Sequence, residues 1–395
     1  MEKRSNISPA QLAMIGGGSA AVVAYTFMPI VDGGIPDHEA LYVLLLSFAY
    51  VAVLNLPVLF LTARFRNMTL NQTFEVLTGK FVGKAAAAVI ALVFMLQFLI
   101  VLNINVAYIK TYILTNTPEW ALLVVTLAPV VYAAYKGGGT LGRIGIVVLP
   151  VMFTAVVLFF ILGLEQMKLE DVYPLLKPPT FVDMNKYAFF NASRYSEIYL
   201  FFIFGTYLQK KSGVIKPYVC SFVIYVVSVL LITLPTLIVI GVPLSKLYLN
   251  PYFIYCRQVG RLDFIQKLQS INILTWYMAA IFRMGLYFYG ASLLTAGIVK
   301  KKKYKFFILP LAAVAFIICL VPKLSNMYFL SALTESPFLP CLIAAVVFVL
   351  PLILCAVALI RKKHIDNVLT TLAENVDDRI DEQEQEILAE KSAAG

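Results

Sequence analysis

The chain has 395 residues, of which 61% are hydrophobic and only 14% are charged. Soluble domains carry about a quarter charged residues, so this composition excludes an ordinary soluble protein and predicts a polytopic protein of the lipid bilayer. The formal net charge of +10 does not require a nucleic-acid partner, because lysines and arginines collect beside membrane spans on the cytoplasmic side.

Ten apolar runs predict membrane-spanning helices, which we name span one to span ten. They cover residues 11–30, 40–63, 85–113, 119–135, 143–164, 187–209, 214–241, 271–299, 306–321 and 338–360. Basic residues are concentrated in the loops on one side, at positions such as Arg64, Lys136, Lys210, Lys300 and Arg361. The positive-inside rule therefore predicts an all-α polytopic protein with both termini in the cytoplasm.

Three segments outside the spans have a distinct character. Thr69 to Lys84 is too polar to span and predicts a short amphipathic helix on the cytoplasmic face, and residues 243–269 are long enough for a re-entrant or surface helix. Residues 364–395 form an acidic tail behind a transmembrane domain of residues 1–363. The tail is predicted to be a solvated helix or a disordered segment, with partner binding as the alternative.

Span six carries charge where a bilayer-crossing helix should be apolar. Arg194 and Glu197 lie inside it, and an ionisable group at that depth costs at least about 2.5–3.5 kcal/mol. Such a residue indicates a functional site by default. The alternative is an ion pair between residues three apart that closes on itself and only holds helices together.

Span one is disturbed by three consecutive glycines, Gly16 to Gly18, and Pro29 ends its run. Each glycine weakens a helix by about 1 kcal/mol relative to alanine. Spans one and six occupy corresponding positions in two halves of five spans, a pattern typical of transporters built from inverted repeats with a binding site at the membrane midplane. Close packing of helices through small residues is the alternative explanation for the glycines.

Further polar residues lie inside spans three and eight. Asn103 and Asn105 of span three cannot face the same direction on a helix, so at least one of them is predicted to bond a neighbouring helix. Arg283 lies near the middle of span eight and requires a partner. Glu197 is the simplest partner within the chain. In a binding site, the partner of Arg283 would instead be the carboxylate of a ligand.

No set of residues suited to catalysis is apparent. The two histidines, His38 and His364, lie at opposite ends of the chain, and no histidine–cysteine spacing typical of a metal site occurs. The sequence therefore predicts a protein that is not an enzyme and that has no catalytic residues, metal or cofactor.

Four stretches resemble one family in their order and spacing. They are ISPAQ before span one, GKFVGK before span three, Glu197 in span six, and RLDFIQKLQSINILTWYMAAIFRMGLYFYGAS leading into span eight. The chain resembles, from about residue 7 to 363, the B subunit of bacterial spore germinant receptors, within the amino acid–polyamine–organocation superfamily. The resemblance implies a leucine-transporter-like fold of ten helices with helices one and six discontinuous. It further implies a nutrient sensor, often for amino acids, in the spore inner membrane beside an A subunit and a lipoprotein C subunit.

The fold implied by the resemblance indicates where a small-molecule germinant would bind. Unwound backbone in spans one and six would meet a zwitterion: exposed amides or Arg283 would take its carboxylate, and carbonyls with Glu197 its ammonium group. The predicted ligand-binding residues are Ser19, Ala21, Val22, Val23, Ala24, Gln97, Asn103, Arg194, Tyr195, Glu197, Ile198, Arg283, Met284 and Tyr287. Two alternatives stay open: a secondary transporter of amino acids or organic cations, and a scaffold in which the arginine and glutamate are structural.

Overall fold

The computed structural model describes residues 7–26, 35, 37–66, 68–168, 181–193, 195, 197–208, 213–248, 250–259, 268–301, 303–321, 338–363, 365–368 and 370–371. These residues are almost wholly helical and contain no strand, only one isolated parallel β-bridge between Ile7 and Leu208. The all-α prediction is therefore confirmed. Most of the predicted acidic tail lies outside the described residues.

Helices occupy all the predicted spans. Span one consists of Pro9–Ala13, a π-helical turn Met14–Gly18 and Ser19–Thr26; span two of Ala40–Leu54 and Leu56–Arg64; span three of Lys80–Tyr112; span four of Glu119–Lys136; and span five of Gly138–Gly163. Span six consists of Phe181–Ser193 and Glu197–Gly205, span seven of Ile215–Val239, span eight of Leu268–Ile298, span nine of Lys305–Leu320, and span ten of Phe338–Ala344, Ala345–Val349 and Leu350–Ile360. Short helices cover Asp37–Glu39, Leu70–Thr78, Leu164–Gln166, Val242–Ser245 and Pro251–Val259.

Seven helices within the described ranges are long and apolar enough to cross a membrane. They are Asp37–Arg64, Lys80–Tyr112, Glu119–Lys136, Gly138–Gln166, Ile215–Val239, Ser270–Ile298 and Cys341–Ile360. A shorter apolar helix covers Lys305–Leu320, and spans one and six consist of shorter helical pieces. The multi-pass architecture is confirmed, and the count of ten crossings stays a prediction.

Span one differs from the predicted unwound break. Its helix continues through the glycines by widening into the π-helical turn Met14–Gly18, and Ser19–Thr26 follows as an α-helix. Such single π turns insert a residue without ending the helix. The backbone amides of Ala21 to Ala24 therefore lie in helical structure, so they are not the exposed amides that we expected in this span.

The glycines let span one approach its neighbours very closely. A Cβ at Gly17 would lie 2.1 Å from the carbonyl oxygen of Ser221 in span seven, and a Cβ at Gly18 would lie 2.2 Å from Leu149 in span five. At Gly17 only a residue without a side chain fits, because the neighbouring atom belongs to the backbone, whereas at Gly18 the Leu149 side chain would have to move. The packing explanation of the three glycines is thus confirmed.

Span eight lies at the centre of the bundle. The most apolar stretch of span eight is 72% buried, whereas that of span four is 39% buried. Span eight packs against spans one, three, four and five. Polar side chains such as Asn272 and Arg283 are buried along it. A helix with this composition is stable in a membrane only when other helices surround its polar groups.

The two loop helices differ in detail from the expectation. The helix after span two covers only Leu70–Thr78 and begins with a capping box between Thr69 and Gln72. Gly79, at a φ of 86°, ends it, and Lys80 to Lys84 belong to span three instead. In the loop before span eight, a short helix is present as Pro251–Val259, while residues 260–267 lie outside the described residues.

Candidate functional site

Span six is interrupted at the predicted position. Its first helix ends at Ser193 and its second begins at Glu197. The Ser193 hydroxyl donates to the Phe190 carbonyl at 2.7 Å, and the Tyr195 amide donates to the Ala192 carbonyl at 3.1 Å. These short-range bonds compete with the regular helical bonds and explain why the helix stops without proline or glycine. Glu197 consequently occupies the first turn of the second helix, where the helix dipole favours a carboxylate.

Glu197, Arg283 and Tyr287 form one hydrogen-bonded cluster. Arg283 donates to Glu197 Oε1 from Nε at 3.0 Å and from Nη2 at 2.7 Å, and the Tyr287 hydroxyl donates to the same oxygen at 2.8 Å. The guanidinium also lies 5.2 Å from the centre of the Tyr287 ring. All three side chains are at most 2% exposed. The prediction that Glu197 is the partner of Arg283 within the chain is confirmed.

The cluster is charge-balanced but incompletely hydrogen-bonded. One carboxylate and one guanidinium cancel, which removes the cost of an isolated charge at this depth. Glu197 Oε1 accepts three hydrogen bonds, whereas Oε2 is buried and has no hydrogen-bond partner among the described residues. An unmade bond on a buried charged group costs free energy, so this oxygen marks a place where a hydrogen-bond donor would be stabilised.

The remaining predicted residues of spans three, six and eight have different surroundings. Tyr195, Ile198 and Met284 are buried in the same stretches of spans six and eight as the cluster. Gln97 is 8% exposed. Arg194 lies outside the described residues, so the proposed ion pair between Arg194 and Glu197 stays a prediction.

Asn103 is hydrogen-bonded to span nine. Its amide donates to the Leu99 carbonyl at 3.0 Å and to the Cys319 sulfur of span nine at 3.4 Å. Its contacts are those of a residue that joins two helices, as one of the two asparagines of span three was predicted to be. Asn105 instead bonds the Val101 carbonyl of its own helix at 2.8 Å.

The predicted residues of span one lie on the helix Ser19–Thr26, which follows the π-helical turn that contacts span six. Ser19, Ala21 and Val22 are fully buried, Ala24 is 4% exposed, and Val23 is half-buried. The Ser19 hydroxyl has no hydrogen-bond partner within the described chain. Ser19 is therefore the member of this group whose side chain offers an unused polar atom.

Aromatic and polar side chains close one end of the region between spans one and eight. The Tyr25 hydroxyl at the end of span one bonds the Asn272 side chain and lies 2.8 Å from the Thr275 hydroxyl, both on span eight. The Tyr252 ring of the loop helix packs on Tyr25 with centroids 5.3 Å apart. This end thus joins span one, span eight and the loop before span eight.

A second group closes the opposite end. The Tyr207 and Tyr289 hydroxyls are 3.0 Å apart, which joins the end of span six to span eight. The Ile7 amide donates to the Tyr207 carbonyl at 2.8 Å, which ties the start of span one to the same place. Arg283, the partner of Glu197, lies between Asn272 and Tyr289 in the sequence of span eight, so the buried cluster lies between the two closed ends.

Fold and site together define a multi-pass membrane protein with the architecture of a transporter. The structure of Mhp1, a nucleobase-cation-symport-1 family transporter, in a closed conformation with bromovinylhydantoin bound, matches with a TM-score of 0.61 and 12% identity, over 86% of this chain and 78% of that chain. A manganese transporter from Eremococcus coleocola, in complex with an aromatic bis-isothiourea substituted compound, gives a TM-score of 0.45 and 14% identity, over 88% and 77%. The match to Mhp1 confirms the leucine-transporter-like fold.

The chain belongs to the spore germination protein family. The model of this family, described as spore germination protein, matches residues 21–328, which include the span-six break and the Glu197 cluster. A comparison of the sequence with curated proteins finds no significant match. The family predicted from the sequence is thereby confirmed.

Asn55 of span two was not among the residues that we predicted. It is fully buried, and neither its Oδ1 nor its Nδ2 has a hydrogen-bond partner in the described part of the chain. The signal in the sequence was a single asparagine inside an apolar run, just before Pro57. That signal is weak, because isolated asparagines in membrane helices commonly bond other helices.

Proposed function

We propose that this protein is the nutrient-sensing subunit of a spore germinant receptor and that it binds a small molecule, an amino acid in the first instance, near the membrane midplane. The observation that carries the proposal is the buried cluster of Glu197, Arg283 and Tyr287 at the break in span six. Ionisable residues at such depth are costly and mark functional sites by default. The family supports a role in germination.

The charge of the site supports a ligand without net charge. Glu197 and Arg283 are paired at 2.7 Å, so the cluster is neutral before a ligand arrives. A ligand with a net charge would bring an unbalanced charge into the membrane, at a cost of about 2.5–3.5 kcal/mol. Zwitterionic amino acids and neutral polar nutrients avoid this cost.

Sensing requires that the ligand distinguish two conformations. The closures at Tyr25–Asn272 and Tyr207–Tyr289 are contacts that an open state would break. A ligand that binds the closed state more tightly than the open one shifts the population toward closure, whereas equal affinity for both would produce no signal. The neighbouring subunits would respond to that shift.

The proposed setting follows from the family and the charge pattern. The chain would lie in the spore inner membrane, with both termini in the cytoplasm, beside an A subunit and a lipoprotein C subunit. The basic loops on one side of the spans support this orientation. The acidic tail would be on the same side and available to a partner.

A secondary transporter is the second candidate. The fold that this chain shares with Mhp1, a transporter solved with a bound ligand, favours it. In that case Glu197 would be a proton or cation site, and opening at both ends in alternation would move the substrate. Sensor and transporter differ in one measurable quantity, the net flux of the ligand across a membrane.

The first experiment is thermal stabilisation of the purified protein, alone and in complex with its receptor partners, by a panel of amino acids, sugars and nucleosides. We expect a saturable rise in Tm with one class of ligand, and its loss in Glu197→Gln and Arg283→Gln. Glu119→Gln is the matched control, because the Glu119 carboxylate forms an ion pair with Lys110 that is about half exposed.

Three results would change the proposal. Absence of any shift in folded protein, alone and in the complex, would favour the scaffold. An unchanged response in both Glu197→Gln and Arg283→Gln would show that the ligand binds elsewhere. Ligand-dependent stabilisation together with net flux in reconstituted vesicles would favour the transporter over the sensor.

A further inference from the structure

Among the fully buried side chains with unused hydrogen-bonding atoms, three belong to spans one, two and six. They are Ser19 Oγ of span one, both amide atoms of Asn55 in span two, and Glu197 Oε2 of span six, each without a hydrogen-bond partner among the described residues. Buried polar atoms in folded proteins are normally paired, and each exception requires an explanation. We infer that these three residues form one polar subsite.

Spans two and six run side by side, which fixes the depth of Asn55. The Asn191 amide donates to the Ser47 hydroxyl at 3.0 Å, and a Cβ at Gly205 would lie 2.8 Å from Thr62. Asn55 lies midway between Ser47 and Thr62 in the sequence. It is therefore level with the span-six break, where Glu197 begins the second helix.

The direction of the Asn55 side chain follows from its neighbours seven residues away. Phe48 and Thr62 are on the same face of span two as Asn55, since seven residues make about two helical turns. The Phe48 ring contacts the Tyr225 ring of span seven with centroids 5.5 Å apart, and Thr62 lies against Gly205 of span six. Asn55 therefore faces spans six and seven.

Ser19 reaches the same depth from span one. The start of span one meets the end of span six at the bond from the Ile7 amide to the Tyr207 carbonyl. Nine residues further, a Cβ at Gly16 would lie 3.2 Å from the Phe201 ring. Ser19 is three residues beyond Gly16, about 4.5 Å further along the helix, so it lies level with the first turn of the second helix of span six.

The unused atoms define the chemistry of the occupant. Glu197 Oε2 and Asn55 Oδ1 accept hydrogen bonds, whereas Asn55 Nδ2 donates them and the Ser19 hydroxyl does both. The occupant must therefore donate and accept at adjacent atoms, and it must be neutral overall, because the Glu197–Arg283 pair is already balanced. The α-ammonium and α-carboxylate groups of an amino acid meet both conditions.

We propose that Asn55 and Ser19 bind the carboxylate of the amino acid, while Glu197 Oε2 and Asn55 Oδ1 bind its ammonium group. This inference rests on the proposed function and revises one part of the expected site. Arg283 donates from both Nε and Nη2 to Glu197, so it holds the glutamate in position, and the carboxylate binds on the Oε2 side. Asn55 thus becomes a determinant of ligand specificity.

The test measures ligand-induced thermal shifts in wild-type protein, Asn55→Leu, Ser19→Ala and Asn105→Leu. The probes are the common L-amino acids, each compared with the amine that lacks the carboxylate and the acid that lacks the amino group. For an amino acid that stabilises the wild type, we expect Asn55→Leu to weaken binding about 10- to 100-fold, the loss of a hydrogen bond to a charged group.

Two features separate this loss from a structural defect. Unliganded Asn55→Leu should have an unchanged or higher Tm, because an apolar side chain replaces an amide that bonds none of the described residues. Asn105→Leu is the matched control, because Asn105 is also fully buried and its Oδ1 has no hydrogen-bond partner in the described part of the chain. It lies on span three, so this variant should keep the wild-type response. Asn55→Asp is a second test. Its extra negative charge should repel the carboxylate, so this variant should bind the corresponding amine in preference to the amino acid.

The outcomes separate this inference from the proposed function. If no probe stabilises the wild type, the amino acid proposal and this subsite are both refuted. If an amino acid stabilises the wild type and Asn55→Leu equally, and Asn55→Asp keeps the same preference, only the subsite is refuted. Loss of the response in Asn55→Leu with retention in Asn105→Leu supports it.

Discussion

Replacement of Glu197 by glutamine should destabilise the protein far more than its single-atom change suggests. Oε1 accepts three hydrogen bonds, of 3.0, 2.7 and 2.8 Å, from Arg283 and Tyr287. The substitution leaves the Arg283 guanidinium, 2% exposed, without a counter-charge. Breaking a buried ion pair from one side costs about 3–5 kcal/mol, so we expect the free energy of unfolding to fall by that amount.

A double-mutant cycle separates the pair from the individual residues. Arg283→Gln should cost a similar amount, because it leaves the Glu197 carboxylate buried and unpaired. The double variant Glu197→Gln/Arg283→Gln contains neither charge, and its loss should be smaller than the sum of the two single losses by at least about 2 kcal/mol. Reversible unfolding in mixed detergent micelles measures all four free energies.

An exposed ion pair provides the control. Lys110 Nζ lies 2.5 Å from Glu119 Oε1, and the two side chains are 40% and 45% exposed. Glu119→Gln should therefore lower the free energy of unfolding by no more than about 1 kcal/mol. Losses below about 1 kcal/mol in both single variants of the buried pair, or additive losses in the double variant, would refute the pairing of Glu197 with Arg283.

Three further predictions concern the site, the helix packing and the loop helix. Tyr287→Phe should lower the free energy of unfolding by about 1.5–3 kcal/mol through loss of a hydrogen bond to a carboxylate; an unchanged value in the same detergent assay would show that this bond does not form. Gly17→Ala should lower the free energy of unfolding by at least about 1–3 kcal/mol, because its Cβ would lie 2.1 Å from the Ser221 backbone. Gly142→Ala is the control and should be tolerated, because its Cβ would lie 3.6 Å from its nearest neighbour. Equal Tm values for the two variants would contradict the close packing. Burial raises the pKa of the Cys256 thiol well above its usual value, so above pH ~8.5 the unfolded chain releases this proton while the folded chain keeps it. Stability should then fall with rising pH, by up to about 1.4 kcal/mol per pH unit, and a Tm series at neutral to alkaline pH should show a shallower fall in Cys256→Ala.

The sequence by itself determined the architecture and the depth of the site. Long apolar runs define the spans because a bilayer requires backbone groups to be bonded within helices. Charged residues inside such runs are rare and expensive, so Glu197 and Arg283 stand out without any structure, and each is the other's natural partner. The resemblance to the spore germination family rested on the order and spacing of four features, of which Glu197 is one.

The tertiary structure alone decided which atoms of those residues are used. Whether the glycines of span one unwind the helix or widen it depended on Ser221, about two hundred positions away, whose backbone lies where a side chain on Gly17 would be. Asn103 and Asn55 are both amides inside apolar runs. One bonds Cys319, and the other is buried level with the span-six break, with no hydrogen-bond partner among the described residues. The direction of a side chain in a helix bundle depends on how helices distant in sequence pack together. The local sequence around a residue does not determine that packing.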